Sequence, residues 1–201
     1  MEPFEPLRGA LSEQAAVRGA AAVQAQLRLV TTAELLCPAP PPVRTTDLSA
    51  ELDALCAALT ASVRRRPGWL YYAPAGAVLP VLARPRLIQA AVLCMLRGVL
   101  RVPGGRAVVT CRMQGGAAEL TLRGGTGGFD APALLRQLAR EAGGCAVIGA
   151  GAPFAAALRL PLCTALPLRP SPTAGELLRD KYSLPYIYLG RDCAADHTLR
   201  S

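Results

Sequence analysis

The sequence predicts a two-layer α/β sandwich, with helices on one face of a largely antiparallel sheet and a further helix ahead of it. Three observations carry this. Apolar residues make up 52% of the 201 and charged residues 18%, enough to bury a core and too little charge for a disordered chain. Helix-spaced apolar stripes are interleaved with pairs of short alternating runs, in the order α, α-β-β, α-β-β, α-β-β, tail. A layer of helices on a sheet needs that order. Finally, no uncharged stretch offers the ~20 continuous apolar residues of a membrane span, since residues 67–83 and 142–158 are broken by Pro and Gly. The start, MEPFEPLRG, is acidic and lacks the apolar run of a secretory signal. A soluble cytoplasmic protein is expected.

Each element has its own signal. Residues 12–36 form an Ala-rich helix pattern opened by Ser12, a good N-cap, with Val23, Leu27 and Val30 giving its stripe weight. It stops at Cys37-Pro-Ala-Pro-Pro-Pro, a stiff linker. In residues 47–66, Leu48, Leu52, Leu55, Leu59 and Val63 recur at helical spacing. Two short extended segments follow at 69–73 and 78–83, parted by Pro74 and Gly76. Residues 86–101 are apolar almost all round, which makes this helix central, and Pro103-Gly-Gly ends it. Runs 106–113 and 117–123, joined by Gln114-Gly-Gly, read as a hairpin. A glycine loop, Gly124-Gly-Thr126-Gly-Gly128, leads to a helix over 130–142, with Asp130 as N-cap and Gly143-Gly144 as stop. Runs 145–150 and 154–163 make another hairpin. After Pro167 the composition turns to Pro, Ser and charge, with one apolar piece at 184–189. That piece is expected to fold back on the sheet, or else to serve as a partner-binding strand. The division is therefore 1–42, N-terminal helix and linker; 43–166, the α/β domain; 167–201, the tail.

Charge and cysteines narrow the function. The net charge is +8, but nearly all of it is scattered Arg. Lys181 is the single lysine, Arg64-Arg65-Arg66 the one dense run, and aromatics are 4%. Nucleic-acid modules cluster charge and interleave it with aromatics, so this class ranks last. Seven cysteines without a C-x-x-C pair, and one histidine, His197, give no short-spaced metal-ligand set. They suit reduced, buried thiols.

Over residues 27–162 the chain resembles the C-terminal region of bacterial sensor histidine kinases: the end of the dimerisation hairpin, then the ATP-binding domain of the GHKL (Bergerat) type. The stretch LRLVTTAELL (27–36) is similar to the end of the second dimerisation helix, and TDLSAEL (46–52) to the lead-in of the catalytic domain. Arg86-Leu-Ile-Gln89 stands where the helix carrying the N box begins, and PGGRAVV (103–109) resembles the link to the next strand. QLAREAGG (137–144) and FAAALRLPL (154–162) resemble the closing helix, its glycine turn and the final strand. The resemblance implies a mixed, largely antiparallel sheet with helices on one face.

It also implies where the nucleotide site would lie, and the residues there depart from the pattern. Leu93 and Arg97 stand at the two N-box asparagines that hold Mg²⁺ and phosphates, although hard cations need oxygen ligands. Gly124 stands at the aspartate that anchors adenine, with Thr126 and Gly128 in the loop after it. Phe129 runs straight into the next helix, so the mobile lid is expected to be missing. No histidine precedes residue 36 to accept phosphate. These are degenerate nucleotide-site positions, with no catalytic residue and no metal ligand among them. The expectation is a catalytically inactive module that works in signal transduction by binding protein, a histidine kinase or a response regulator. It would form a homodimer or dock on a kinase hairpin through its N-terminal helix. The alternatives are residual ATP-binding kinase or ATPase activity, with ATP and Mg²⁺ as cofactors only in that case, and a basic nucleic-acid binder. Any ligand left in the old cleft should be a metal-free anion on Arg97, unless Arg97 pairs with Asp130.

Overall fold

Local chemistry sets where each element starts and stops. The computed structural model describes residues 20–40, 42–63, 69–100, 104–125, 132–149, 153–179 and 182–189. Ser12, Arg64–Arg66, Thr126, Gly128–Asp130 and His197 lie outside these.

Helix α1 spans Ala20–Leu36, followed by strand β1, Thr45–Asp47, and helix α2, Leu48–Val63. Asp47 caps α2: its Oδ1 accepts the Ser49 N–H at 3.0 Å, and also the Leu79 N–H at 3.0 Å from the segment leading to β3. Strands β2 (Trp69–Ala73) and β3 (Pro80–Val81) precede the central helix α3, Pro85–Leu100. Pro85 sits at the first helical position, where its missing N–H costs nothing. The β4–β5 hairpin (Arg106–Gln114, Ala117–Gly124) turns on Gly115 and Gly116, both at positive φ (56° and 71°), as a two-residue hairpin turn demands. Helix α4, Pro132–Glu141, ends in a left-handed Gly143 (φ 69°), with the Gly144 N–H returning to the Ala139 carbonyl at 2.8 Å. Strands β6 (Cys145–Ile148), β7 (Phe154–Pro161) and β8 (Leu168–Arg169), then helices α5 (Ala174–Arg179) and α6 (Leu184–Leu189), complete the order.

The main sheet runs β2-β4-β5-β7-β6, with β2 parallel to β4 and the other pairs antiparallel. Its register puts Val109, Leu122 and Ala156 in one row and Cys111, Leu120 and Leu158 in the next, all buried under the helices. The opposite face is open: Trp69 and Tyr71 stack there at 5.8 Å, and Val147 is exposed. This is the expected sandwich, with helices on one face of the main sheet among the described residues.

Two segments differ from expectation. Of residues 78–83 only Pro80–Val81 pairs, and it joins a small second sheet, β3-β1-β8, rather than the main one. Strand β8 comes from the segment read as a tail. The apolar piece 184–189 does fold back, but as a helix over the helical layer, where Leu184, Ile187, Tyr188 and Leu189 are buried. It packs on α1, α3 and α5.

That placement gives α1 its partner. Val23, Leu27, Thr31 and Leu35, four residues apart, are buried along one stripe facing α6 and α4. Arg28 Nη1 donates to the Ile187 carbonyl at 3.4 Å, and the hydroxyls of Thr32 and Tyr188 are 3.0 Å apart. The stripe expected to mediate self-association is thus covered by the chain's own C-terminal helix.

An ion pair through Arg84, just ahead of α3, links the ends of α4 and α1. Glu141, last residue of α4, accepts the Arg84 backbone N–H at 2.9 Å and Nε at 2.8 Å. Arg84 Nη2 in turn donates to the Leu35 carbonyl in the last turn of α1 at 2.9 Å. Removing Glu141 takes the partner of the Arg84 Nε and backbone N–H and leaves the guanidinium charge unbalanced. Glu141→Ala should cost about 1.5–3 kcal/mol in urea unfolding, and Glu141→Gln less. Unchanged stability in Glu141→Ala would show that the node carries no load.

Candidate functional site

The candidate nucleotide site sits on α3 and the end of β5. Helix α3 (PRLIQAAVLCMLRGVL) has apolar residues on nearly every side, so α1, α2, α4 and α6 pack around it and β4 lies beneath. Leu93 is fully buried (0% exposed) in the main core. One turn on, Arg97 is half-buried. Gly124, buried at the end of β5, pairs with Ala107 near the start of β4. Only residues 101–105 link α3 to β4, so Arg97 and Gly124 lie at the same end of the domain. Thr126 and Gly128, expected in the loop beyond, are outside the described residues.

The side of α3 that carries Leu93 and Arg97 is closed at its middle, where Gln89 and Leu93 are buried. Gln89, one turn before Leu93, is 6% exposed and donates from Nε2 to Glu51 Oε2 of α2 at 2.8 Å. Glu51 is 1% exposed. Burial pushes its carboxyl above the ordinary 4.5, opposed by hydrogen bonding from Gln89 and Ser171 and by the charge of Arg169. The α2 stripe held a signal for this pair. Glu51 falls at position i+3 from Leu48 and i−4 from Leu55, on the apolar face, where a carboxylate needs a partner. Two clefts lined wholly by described residues open elsewhere. One lies beside Arg44, Arg84 and Arg169, the other between the β4–β5 turn and Gly143–Gly144. Neither is lined by Leu93, Arg97 or Gly124.

Other chemistry is equally quiet. Among the described residues no three His, Cys, Asp or Glu side chains could share a metal ion. Cys56 and Cys111 are buried, which pushes both thiols up to about 12 and keeps them protonated. No helix of the described residues is long and apolar enough to cross a membrane.

With this geometry in hand, comparison with solved structures is decisive for the fold. The chain superposes on Acinetobacter baumannii histidine kinase AdeS with a TM-score of 0.50 at 11% identity, covering 81% of this chain and 87% of that one. For the cytoplasmic segment of histidine kinase QseC the TM-score is 0.51 at 14% identity, over 70% and 90%. The fold is that of a histidine kinase C-terminal region. Full-length ShkA in complex with AMPPNP is also similar, with a TM-score of 0.54 at 14% identity over 77% of this chain and 39% of that one. No protein-family profile and no curated protein matches the chain.

Within the histidine kinase fold, the buried Glu51–Gln89 pair makes a testable demand on pH. A carboxyl raised in the folded state binds its proton more tightly there than in the unfolded chain. Stability therefore falls as pH rises from about 4.5 through the raised value. Glu51→Gln keeps a hydrogen-bonding side chain and removes that proton. Its thermal midpoint should vary less with pH across this window than the wild type's. Parallel profiles would show that Glu51 is not held as the structure places it.

Proposed function

We propose that the protein is a signalling module on the histidine kinase ATPase-domain fold that binds another protein and does not transfer phosphate. The carrying observation is the complete burial of Leu93. At the position where the resemblance expects a metal-holding asparagine, the side chain is apolar and sealed in the core. The next expected ligand is Arg97, a cation where a cation must bind. Phosphoryl transfer in this fold depends on a metal and positioned charge around the phosphates. Magnesium accepts oxygen ligands, and neither residue supplies one. Gly124, in place of the adenine-anchoring aspartate, has no side chain to accept a hydrogen bond.

The fold points to a partner from phosphorelay signalling, a histidine kinase or a response regulator, met in the cytoplasm. The route to it differs from the one first expected. The Val23–Leu27–Thr31–Leu35 stripe of α1 is buried inside the chain, so docking through it would require α6 to leave. The surfaces left for a partner are the outer side of α1, where Leu29 is 71% exposed, and the open face of the sheet.

Calorimetry with ATP and Mg²⁺ tests this reading. No saturable heat should appear below about 1 mM nucleotide, the weak limit near −4 kcal/mol. Saturable binding that needs Mg²⁺ would overturn it and favour residual ATP-dependent activity.

A further inference from the structure

A second site lies at the start of α3, the opposite end of that helix from Arg97, where the linker meets the domain. The described residues form a cleft of about 440 Å³ between Pro40, residues 42–44, β1, the start of α3 and β8, a volume in the range of small-molecule sites. Its walls are apolar: Pro40, Pro42, Val43, Ala83 and Pro85. Its polar lining is Thr46 and three arginines, Arg44, Arg84 and Arg169, and no carboxylate lines it.

The three arginines are not equivalent. Arg84 is balanced by Glu141 and fixed by the Leu35 carbonyl, leaving part of its guanidinium fork unused. Arg169 feels the charge of Glu51, but that carboxylate is 1% exposed and one of its oxygens is taken by Gln89. Arg44 is exposed and lies on the linker side. Thr46 already donates its hydroxyl to the Ala83 carbonyl at 2.8 Å, so it shapes the floor. Two exposed arginines thus line a carboxylate-free cleft, and a third, fixed by Glu141 and the Leu35 carbonyl, lines it with them. Like charges brought together in a folded protein repel one another, and an anion relieves that repulsion.

We propose that this cleft binds a small organic dianion, an aromatic or aliphatic body carrying a phosphate monoester or two carboxylates. Arg44 and Arg169 clasp the charged group, and the proline walls take the apolar body. Guanidinium forks suit both oxyanions bidentately. Because Pro40 and Pro42 belong to the linker, Arg44 and Pro85 to the domain and Arg169 to the segment after it, an occupant ties the three together. The proposal is independent of whether the nucleotide positions bind ATP.

Calorimetry on the full chain, with phenyl phosphate and phthalate as dianions, inorganic phosphate as charge without body, and phenol as body without charge, tests it. At least one of phenyl phosphate and phthalate should bind saturably below about 5 mM, more tightly than inorganic phosphate, while phenol should not bind. Which of the two binds distinguishes phosphate from carboxylate. Arg44→Gln and Arg169→Gln should each weaken binding about tenfold or more, as the loss of a charge-assisted hydrogen bond predicts. Arg136→Gln, at an exposed α4 position outside the lining, should change nothing. Both Gln substitutions are at exposed side chains, and unfolding midpoints equal to wild type would show that the fold survives. If one of them fails that check, the other decides alone. No saturable binding of either dianion, or binding unaffected by Arg44→Gln and Arg169→Gln, overturns the proposal.

Discussion

Everything in this domain is arranged around one constraint: helix α3 has no side that belongs in water. Leucine, isoleucine, valine and methionine occur around its whole circumference, and only Pro85, Arg86, Arg97 and Gly98 escape full burial. Each fully buried large aliphatic side chain contributes about 1.5–3 kcal/mol by leaving water. A helix of this kind must therefore be enclosed. The sheet covers it from below, α2 and α4 flank it, and α6 closes the remaining side. That demand explains why the C-terminal segment returns to the helical layer. Leu184, Ile187 and Tyr188 gain more there than on the polar and half-exposed open face of the sheet.

The same enclosure takes in Leu93, which is fully buried. The resemblance to histidine kinases expects this helix to show polar side chains to a nucleotide. Here its middle is committed to the core, and the one polar residue inside, Gln89, is spent on Glu51. On the proposed reading, the loss of metal chemistry follows from packing, through the same residues that hold the fold together. The linker cleft is the contrasting case. Arg44 and Arg169 are at the surface and uncommitted to the core, so they remain available to a ligand.

Much of this was legible in the sequence. The apolar circumference of residues 86–101 announced a central helix, and the period-two runs from 106 to 123 announced the hairpin with its Gly115–Gly116 turn. Strand β2 was recognisable as a strand, but its parallel pairing with β4 was not, because periodicity says nothing about direction. The small β3-β1-β8 sheet was hidden. Two- and three-residue strands carry no pattern, and their pairing is long-range. Helix α6 was invisible for a related reason: six residues with an internal Pro185 read as an extended piece, and tertiary burial overrides that local signal. At the site, Leu93, Arg97 and Gly124 could be placed from resemblance alone. The burial of Gln89 against Glu51 emerged only from the packing of α2 on α3. The arginine cleft joins positions 44, 84 and 169, a convergence that no local motif encodes.

Hydrogen exchange along α3 tests the central claim most directly, because it reads the enclosure and any nucleotide response in one measurement. Amides from Gln89 to Leu96 should be among the slowest in the chain, opening only with global unfolding. Their rates should stay the same when a non-hydrolysable ATP analogue and Mg²⁺ are added. Fast exchange in this stretch, or protection that appears only with nucleotide, would contradict the account and show that α3 still serves as the wall of a working site.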